Sequence, residues 1–239
     1  SIGGALSSNI HGRGLELQPM VQDVESFRII NAEGKVLNAS REENTELFSL
    51  VIGGYGLFGV ITEVDVRLTP RQKIRRVVEV IELSDFAEKT AQRIAEDYLY
   101  GDLQFKTDGK AEDFLKTGVY SFYKPVPPET PIPEQQGEIS DQRWKELIAL
   151  AHSDKAQVFD DYTNYYLSTD GQIYWTDTHQ LGYYDENYES FLEKTLVDYK
   201  PGSLMISEVY VPREKLYDFM DDLSKANKNQ NLDIIYGTI

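Results

Sequence analysis

The sequence contains no cysteine among its 239 residues. This absence excludes disulfide bonds, thiolate nucleophiles and cysteine-ligated metal clusters. Histidine is also rare: His11, His152 and His179 lie far apart, and none has the HxxxH or HExxH spacing of a zinc site. The sequence therefore does not support a metal centre. A lack of cysteine is compatible with any compartment, and we expect a cytoplasmic protein.

Long hydrophobic runs are missing too. No apolar stretch approaches the roughly 18–20 residues of a membrane-spanning helix, so we predict no membrane span. Basic residues are few: 24 Lys and Arg stand against 40 Asp and Glu, which gives a net charge of −16. Such an acidic surface repels phosphate backbones, and we predict no nucleic-acid partner. The chain also lacks GxxxxGK[ST], which excludes a Walker-type phosphate loop.

The hydrophobic fraction of 41% is sufficient for one large domain or two small ones. Residues 1–70 are rich in glycine and have the alternating pattern of strands. "VESFRII", "KVLNAS" and "GVITEVDVRL" are predicted strands, and "ENTELFSLV" is a predicted short helix that ends at Gly53-Gly54.

Residues 71–239 have a different texture, in which strands and helices alternate. "KIRRVVEVIEL" and "TGVYSFYKPV" are predicted strands, and Ser84 is the predicted cap of a helix that follows the first of them. Two more helices are predicted around 141–151 and 155–167. Two further strands are predicted from "SLMISEVYV" and from the final residues, "LDIIYGTI".

The first fourteen residues, "SIGGALSSNIHGRG", contain four glycines. Glycine is favoured where the backbone takes a positive φ or approaches another group closely. We interpret this stretch as a glycine-rich loop that lies against a ligand, although the glycines alone would also suit a tight turn. A second glycine run, "GGYGLFG" at Gly53–Gly59, resembles GxGxxG only loosely, because it follows a helix instead of opening one.

Three stretches taken in order are more specific: "SIGGALSSNIHGRG", "VESFRIINAEGKVL" and "SREENTELFSLVIGGYGLFGVITEVDVRLTP". Together they resemble the second half of the FAD-binding domain of vanillyl-alcohol-oxidase-type flavoproteins, the FAD-linked oxidases. One departure is Glu33, which replaces the aspartate of the family's "ADG". "NIHGRG" and "VIGGYGLFGVI" are most similar to the decaprenylphosphoryl-ribose 2′-oxidase branch of that family.

The resemblance implies an α+β fold in two parts. Residues 1–70 would be the C-terminal half of an FAD-binding domain. Residues 71–239 would be a cap, or substrate, domain, with an antiparallel sheet and helices on one side, incomplete at its C-terminus. We therefore interpret the chain as the central part of a longer enzyme, and expect it to bind FAD weakly or not at all by itself.

The resemblance also implies cofactor contacts. Backbone groups of the first residues and side chains of "SNIH" would meet the flavin and its ribityl-pyrophosphate tail, and Asn9 and His11 would place N–H donors near the ring. The implied cofactor-binding residues are Ser1, Ile2, Gly3, Gly4, Ser8, Asn9, Ile10, His11, Gly12 and Ile61. Both His11 and Ile61 could instead be structural. The resemblance identifies no catalytic residue in this chain.

The second region has an aromatic segment over residues 160–188, with seven of the 16 tyrosines. Rings with hydroxyl groups suit a sugar ligand, which needs both stacking and polar contacts. We predict substrate contacts for Tyr174, Trp175 and His179. The alternative is that these rings pack helices against the sheet.

The function that follows from the resemblance is that of an FAD-dependent oxidoreductase, which oxidises a secondary alcohol on a small molecule with the character of a sugar by hydride transfer to the flavin. The alternative is a non-catalytic α/β module for ligand binding or interaction, in which the glycine region is only structural. The sequence indicates neither the electron acceptor nor the oligomeric state.

Overall fold

A computed structural model of the chain describes residues 1–177, 187–230 and 233–239. The chain divides into two units, Ser1–Arg71 and Gln72–Ile239. Each unit combines helices with an antiparallel sheet, which confirms the predicted α+β class. That the units are half of an FAD-binding domain and a cap domain stays a prediction.

The first unit is a three-stranded sheet with two short helices. Its elements are α1 (Ile2–Ser7), β1 (Val24–Ile30), β2 (Val36–Ser40), α2 (Thr45–Val51) and β3 (Val60–Val66). The strands are antiparallel in the order β2-β1-β3. The rings of Phe27 and Phe48 stack in the core, with centroids 5.3 Å apart. These elements confirm the predicted strands and the short helix before Gly53.

The start of the chain is a helix, whereas the sequence predicted a loop. Ser1 caps α1, since its Oγ accepts a hydrogen bond of 3.1 Å from the N–H of Gly4. Leu6 is 1% exposed and belongs to the core. A Cβ on Gly3 would lie 3.3 Å from the Cβ of Ile61, so the missing side chain lets α1 approach β3. Glycine's low helix propensity is a weak tendency, and here the burial of one leucine outweighs it.

The second unit is built on a four-stranded antiparallel sheet in the order β5-β6-β4-β7. Its elements are β4 (Lys73–Glu82), α3 (Phe86–Ala95), β5 (Tyr100–Phe105), β6 (Thr117–Val126), α4 (Asp141–Ser153), α5 (Lys155–Ser168), β7 (Ile173–Trp175), α6 (Tyr188–Thr195) and α7 (Leu216–Gln230). β7 is a short edge strand. The side-chain amide of Gln136 binds it as a neighbouring strand would, because it accepts from the N–H of Ile173 at 2.6 Å and donates to the Ile173 carbonyl at 2.8 Å.

Helices cover both faces of this sheet, and not one face as predicted. Successive residues of a strand point to opposite faces. On β6, Val119 packs with Tyr162 of α5, while the next residue, Tyr120, meets the ring of Phe86 from α3 edge-on at 6.0 Å. Residues 117–123 of β6 are consequently buried without interruption.

Three local predictions for the second unit are wrong. Residues 203–211 lie outside any strand, and Ile206 is 98% exposed. Of residues 233–239, only the last two pair with a strand: Thr238 forms a bridge with Gln104, and Ile239 exchanges two backbone hydrogen bonds of 2.9 Å with Leu103 of β5. Ser84 does not cap α3, because it lies within a 3₁₀ turn, Leu83–Asp85, that precedes the helix. A β-prone sequence becomes a strand only when a neighbouring strand supplies hydrogen-bond partners.

The anchoring of α1 by Leu6 can be tested with two substitutions in the same helix. Leu6→Ala is expected to lower the free energy of unfolding of the first unit by about 2–4 kcal/mol, because it leaves a cavity in the core. Ile2→Ala, at a side chain that is 59% exposed, is expected to change it by less than about 0.5 kcal/mol. Hydrogen exchange of the backbone amides of β1 in urea measures the free energy of unfolding for both variants. Equal effects would contradict the packing of α1.

Candidate cofactor-binding site

The predicted cofactor segment, Ser8–Gly12, begins where α1 ends. Asn9 has a left-handed φ of 46°. Its N–H donates to the carbonyl of Leu6 at 2.9 Å, and the N–H of Ile10 donates to the carbonyl of Ala5 at 3.1 Å. These two bonds around a left-handed residue form a Schellman cap, and asparagine is one of the few residue types that tolerate the conformation. The cap therefore sets the direction in which the segment leaves the helix.

The glycine loop, Gly53–Gly59, supplies two more hydrogen bonds to the same helix end. The N–H of Gly53 donates to the carbonyl of Leu6 at 3.0 Å, and the N–H of Tyr55 donates to the carbonyl of Ser7 at 2.8 Å. A helix by itself leaves its last carbonyls unpaired. Here a distant part of the chain pairs with the carbonyl of Ser7 and adds a second hydrogen bond to that of Leu6.

The segment Ser8–Gly12 is exposed along its whole length. It presents a hydroxyl, an amide and an imidazole beside the apolar side chain of Ile10, which is 47% exposed. The Nδ1 of His11 lies 3.1 Å from the carbonyl of Gly12. A Cβ on Gly12 would meet no atom within 4 Å. Polar groups beside an apolar side chain and an open glycine fit the edge and the face of a flavin ring.

The other predicted cofactor residues have contacts inside the first unit. A Cβ on Gly4 would meet only the Oγ of Ser1, at 3.2 Å, whereas Gly3 faces Ile61. Ile61 is half-buried and packs against the core, and Ile2 is 59% exposed. The structure thus places all ten predicted residues in one unit and brings Ile61 against Gly3. Their contact with a cofactor stays a prediction.

A hollow of about 330 Å³ in the first unit lies elsewhere and includes none of these ten residues. It borders Arg41 and Phe48. The guanidinium of Arg41 donates to the carbonyl of Val21 at 2.8 Å and lies 5.2 Å from the ring centroid of Phe48. These contacts give Arg41 a structural role, so the hollow adds nothing to the candidate site.

The predicted substrate residues lie in the second unit. Tyr174 and Trp175 are neighbours on β7, so their side chains point to opposite faces. The ring of Tyr174 lies 5.0 Å from the guanidinium carbon of Arg76, and the ring of Trp175 lies 5.1 Å from the Nζ of Lys73. His179 lies outside the described residues.

Sequence reasoning did not find the group that Tyr174 contacts. Arg76 is 3% exposed, and its guanidinium carbon lies within 5.0–5.3 Å of the ring centroids of Tyr123, Tyr166 and Tyr174. Its Nε donates to the hydroxyl of Tyr123 at 2.9 Å, and its Nη1 donates to the hydroxyl of Thr169 at 2.8 Å. Cation–π contacts and hydrogen bonds together compensate the buried charge.

The directions of the pKa shifts of Arg76 and its tyrosine neighbours agree with a charged arginine among neutral rings. Burial by itself would lower the pKa of Arg76, but the surrounding tyrosines and the bond to Tyr123 raise it. Burial raises the pKa of Tyr166 and that of Tyr174 to about 12. The tyrosines therefore stay neutral at physiological pH, and the arginine stays charged. The signal was present in the sequence, since Arg76 stands between Ile74 and Val78 on the inward-facing positions of β4.

Two negative findings concern the described part of the chain alone. Residues 1–177, 187–230 and 233–239 contain no group of three side chains placed to hold a metal ion. Within the same ranges, no helix has both the length and the apolar character needed to cross a membrane.

No protein-family model matches the chain. Curated relatives do match. "Cytokinin dehydrogenase 2" of Arabidopsis thaliana is 28% identical over 270 residues, which covers 100% of this chain and 49% of the relative. "Cytokinin dehydrogenase 9" of Oryza sativa subsp. japonica is 25% identical over 246 residues, 97% of this chain and 46% of the relative. "D-arabinono-1,4-lactone oxidase" of the yeast Debaryomyces hansenii is 35% identical over 81 residues, 34% of this chain and 14% of the relative.

The chain thus spans about half the length of the two plant proteins. All three relatives are named as dehydrogenases or oxidases and are members of the FAD-linked oxidase family, so the similarity supports an oxidoreductase. They are plant and yeast proteins. The similarity supports the broad resemblance drawn from the sequence, while the decaprenylphosphoryl-ribose 2′-oxidase branch stays a prediction.

The role of Arg76 can be tested against its neighbour. Arg76→Lys keeps a charge but loses the planar group that donates to Tyr123 and Thr169, so we expect the second unit to lose about 2–4 kcal/mol of stability. Arg75→Lys, at an exposed position, is expected to cost less than about 0.5 kcal/mol. Tryptophan fluorescence during urea unfolding measures this, because Trp144 and Trp175 both lie in the second unit. If the urea midpoint of Arg76→Lys equals that of the original chain, the buried arginine does not stabilise the second unit in this way.

Proposed function

We propose that this chain is part of an FAD-dependent oxidoreductase and that Ser8–Gly12 contacts the flavin. The observation that carries the proposal is the segment itself, which is exposed and polar and yet held by hydrogen bonds at the end of α1. Similarity to two dehydrogenases over nearly the whole chain, and to an oxidase over 34% of it, supports the proposal. The bound flavin would supply the chemistry, by accepting a hydride from the substrate.

The residues of the chain would bind and orient this group. Ser8 and Asn9 offer polar side chains at the exposed cap, and Ile10 offers an apolar surface beside them. An N–H donor held near a flavin edge favours the form of the ring that carries negative charge. We assign this task to the amide of Asn9, because the Nδ1 of His11 lies within hydrogen-bond distance of the carbonyl of Gly12. Ser1, Ile2, Gly3, Gly4 and Ile61 would support the ring through the backbone.

For the substrate we propose a secondary alcohol with the character of a sugar, as in the decaprenylphosphoryl-ribose 2′-oxidase branch. The relatives' names designate other compounds, a cytokinin and D-arabinono-1,4-lactone. In the second unit, Trp175 is the better candidate for stacking on a sugar, because the ring of Tyr174 lies against the buried Arg76, whereas the cation beside Trp175, that of Lys73, is only half-buried. His179 completes the proposed substrate set.

Flavin binding can be tested with two glycine variants that the fold tolerates. A Cβ on Gly12 has no neighbour within 4 Å, and a Cβ on Gly202 meets only the Lys200 carbonyl, at 4.0 Å. Gly12→Val would push a flat ring away, so we expect it to weaken FAD binding at least about tenfold, or about 1.4 kcal/mol. Gly202→Val, in the second unit, is expected to leave binding unchanged. Quenching of flavin fluorescence during titration measures the affinity.

Equal affinities for Gly12→Val and the original chain would remove Ser8–Gly12 from the site. The substrate is tested by mixing the FAD-loaded complete oxidoreductase, of which the chain is proposed to be part, without oxygen with a sugar alcohol, a cytokinin or D-arabinono-1,4-lactone. Loss of the flavin's visible absorbance with the sugar alcohol alone would support the proposed substrate class. Reduction by one of the other two compounds alone would contradict it.

A further inference from the structure

We propose that Gly53 and Tyr55, at the start of the Gly53–Gly59 loop, are the positioning residues of the candidate flavin site, and that they hold Ser8–Gly12 in its binding pose through their backbone N–H groups. This inference rests on the proposed function, since the pose matters only if the segment binds a ligand. The inference assigns a role to the "GGYGLFG" motif, which does not match a phosphate-binding pattern.

The first step of the argument concerns α1, which has only six residues. Isolated helices of this length are not stable in water, because the cost of forming the first turn is not recovered. The carbonyl of Leu6 accepts from both Asn9 and Gly53, at 2.9 and 3.0 Å, and the carbonyl of Ser7 accepts from Tyr55 at 2.8 Å. The end of the helix is therefore fixed by the loop as well as by its own cap.

The second step concerns the loop, which is itself held in place. Gly53, Gly56 and Gly59 have φ values of 74°, 78° and 139°. A Cβ on Gly54 would lie 2.3 Å from the carbonyl oxygen of Leu50 in α2, and a Cβ on Gly59 would lie 2.2 Å from that of Ile30 in β1. The loop thus contacts α2 and β1 directly. These contacts fix the position of the loop, and the loop in turn fixes the end of α1 through its hydrogen bonds.

The third step concerns the contact between the loop and the segment. A Cβ on Gly53 would lie 3.4 Å from the Cβ of Asn9, the left-handed residue that turns the chain out of α1. Gly53 also follows the C-cap of α2, Ile52. The same glycine therefore ends one helix and caps another. A change in its φ would move the N–H that it donates to Leu6.

Gly53→Ala and Gly56→Ala form a matched pair. Both glycines have nearly the same positive φ, so alanine introduces similar backbone strain at each. A Cβ on Gly56, however, meets no atom within 4 Å, and no N–H of Gly56 reaches α1 in the described hydrogen bonds. A difference between the two variants at Ser8–Gly12 would therefore come from the contact with α1 and Asn9.

The experiment is hydrogen exchange, followed by mass spectrometry, on the whole chain without FAD, together with FAD titration. We expect Gly53→Ala to accelerate exchange of the Asn9 and Ile10 amides by about five- to tenfold and to weaken FAD binding by a similar factor. Gly56→Ala is expected to stay within about twofold of the original chain in both measurements. Should Gly53→Ala fail to fold, Asn9→Ala is expected to accelerate exchange, and Asn9→Gly, which accepts the left-handed conformation, is not.

Unchanged exchange in Gly53→Ala, or equal acceleration by Gly56→Ala, would overturn the inference. Faster exchange with unaltered FAD affinity would overturn it too, because the pose would then not matter for binding. Where the original chain binds FAD too weakly to titrate, as expected from the sequence, the same variants are titrated in the complete oxidoreductase of which the chain is proposed to be part. If that protein binds no FAD, the proposed function fails, and the ligand role of the loop fails with it. The exchange rates would still decide whether the loop holds the segment.

Discussion

The carbonyl oxygen of Leu6 is the point where three parts of the first unit meet. It accepts hydrogen bonds from Asn9, one turn further along, and from Gly53, more than forty residues away, while the side chain of Leu6 lies in the core. A six-residue helix cannot persist without such support. The segment that follows is therefore held by backbone groups on its inner side, while the side chains of Ser8, Asn9 and Ile10 are exposed.

The second unit depends on a different interaction, the enclosure of the Arg76 guanidinium by three tyrosine rings. A buried charge is costly unless its donors are satisfied, and here the hydroxyls of Tyr123 and Thr169 accept from it. This arrangement explains part of the unusual tyrosine content. Because the rings of Tyr166 and Tyr174 pack against the Arg76 guanidinium, a high number of tyrosines is by itself weak evidence for a sugar-binding site.

How far the sequence predicts the structure differs between the two regions. The strands β1, β3 and β4 follow from alternating apolar residues, β6 follows from a short run of apolar and aromatic residues, and the end of α2 follows from Gly53. The helix at Ile2–Ser7 could not be predicted, because it depends on long-range partners that local propensity does not contain. The strand expected over 203–211 has the right residue types but lacks a neighbouring strand. For the candidate site, the motif identified Ser8–Gly12 but not the loop that caps it, since pairing of backbone groups leaves no residue-type signature.

Gln136 shows how a single side chain can close the edge of a sheet. Its amide reproduces the donor and acceptor of a peptide group opposite Ile173, on the outer side of the last strand. Exposed edges invite other chains to add to a sheet. At this position the hydrogen-bonding groups are already used, so association between copies of the protein through β7 would first have to displace a glutamine that belongs to the same molecule.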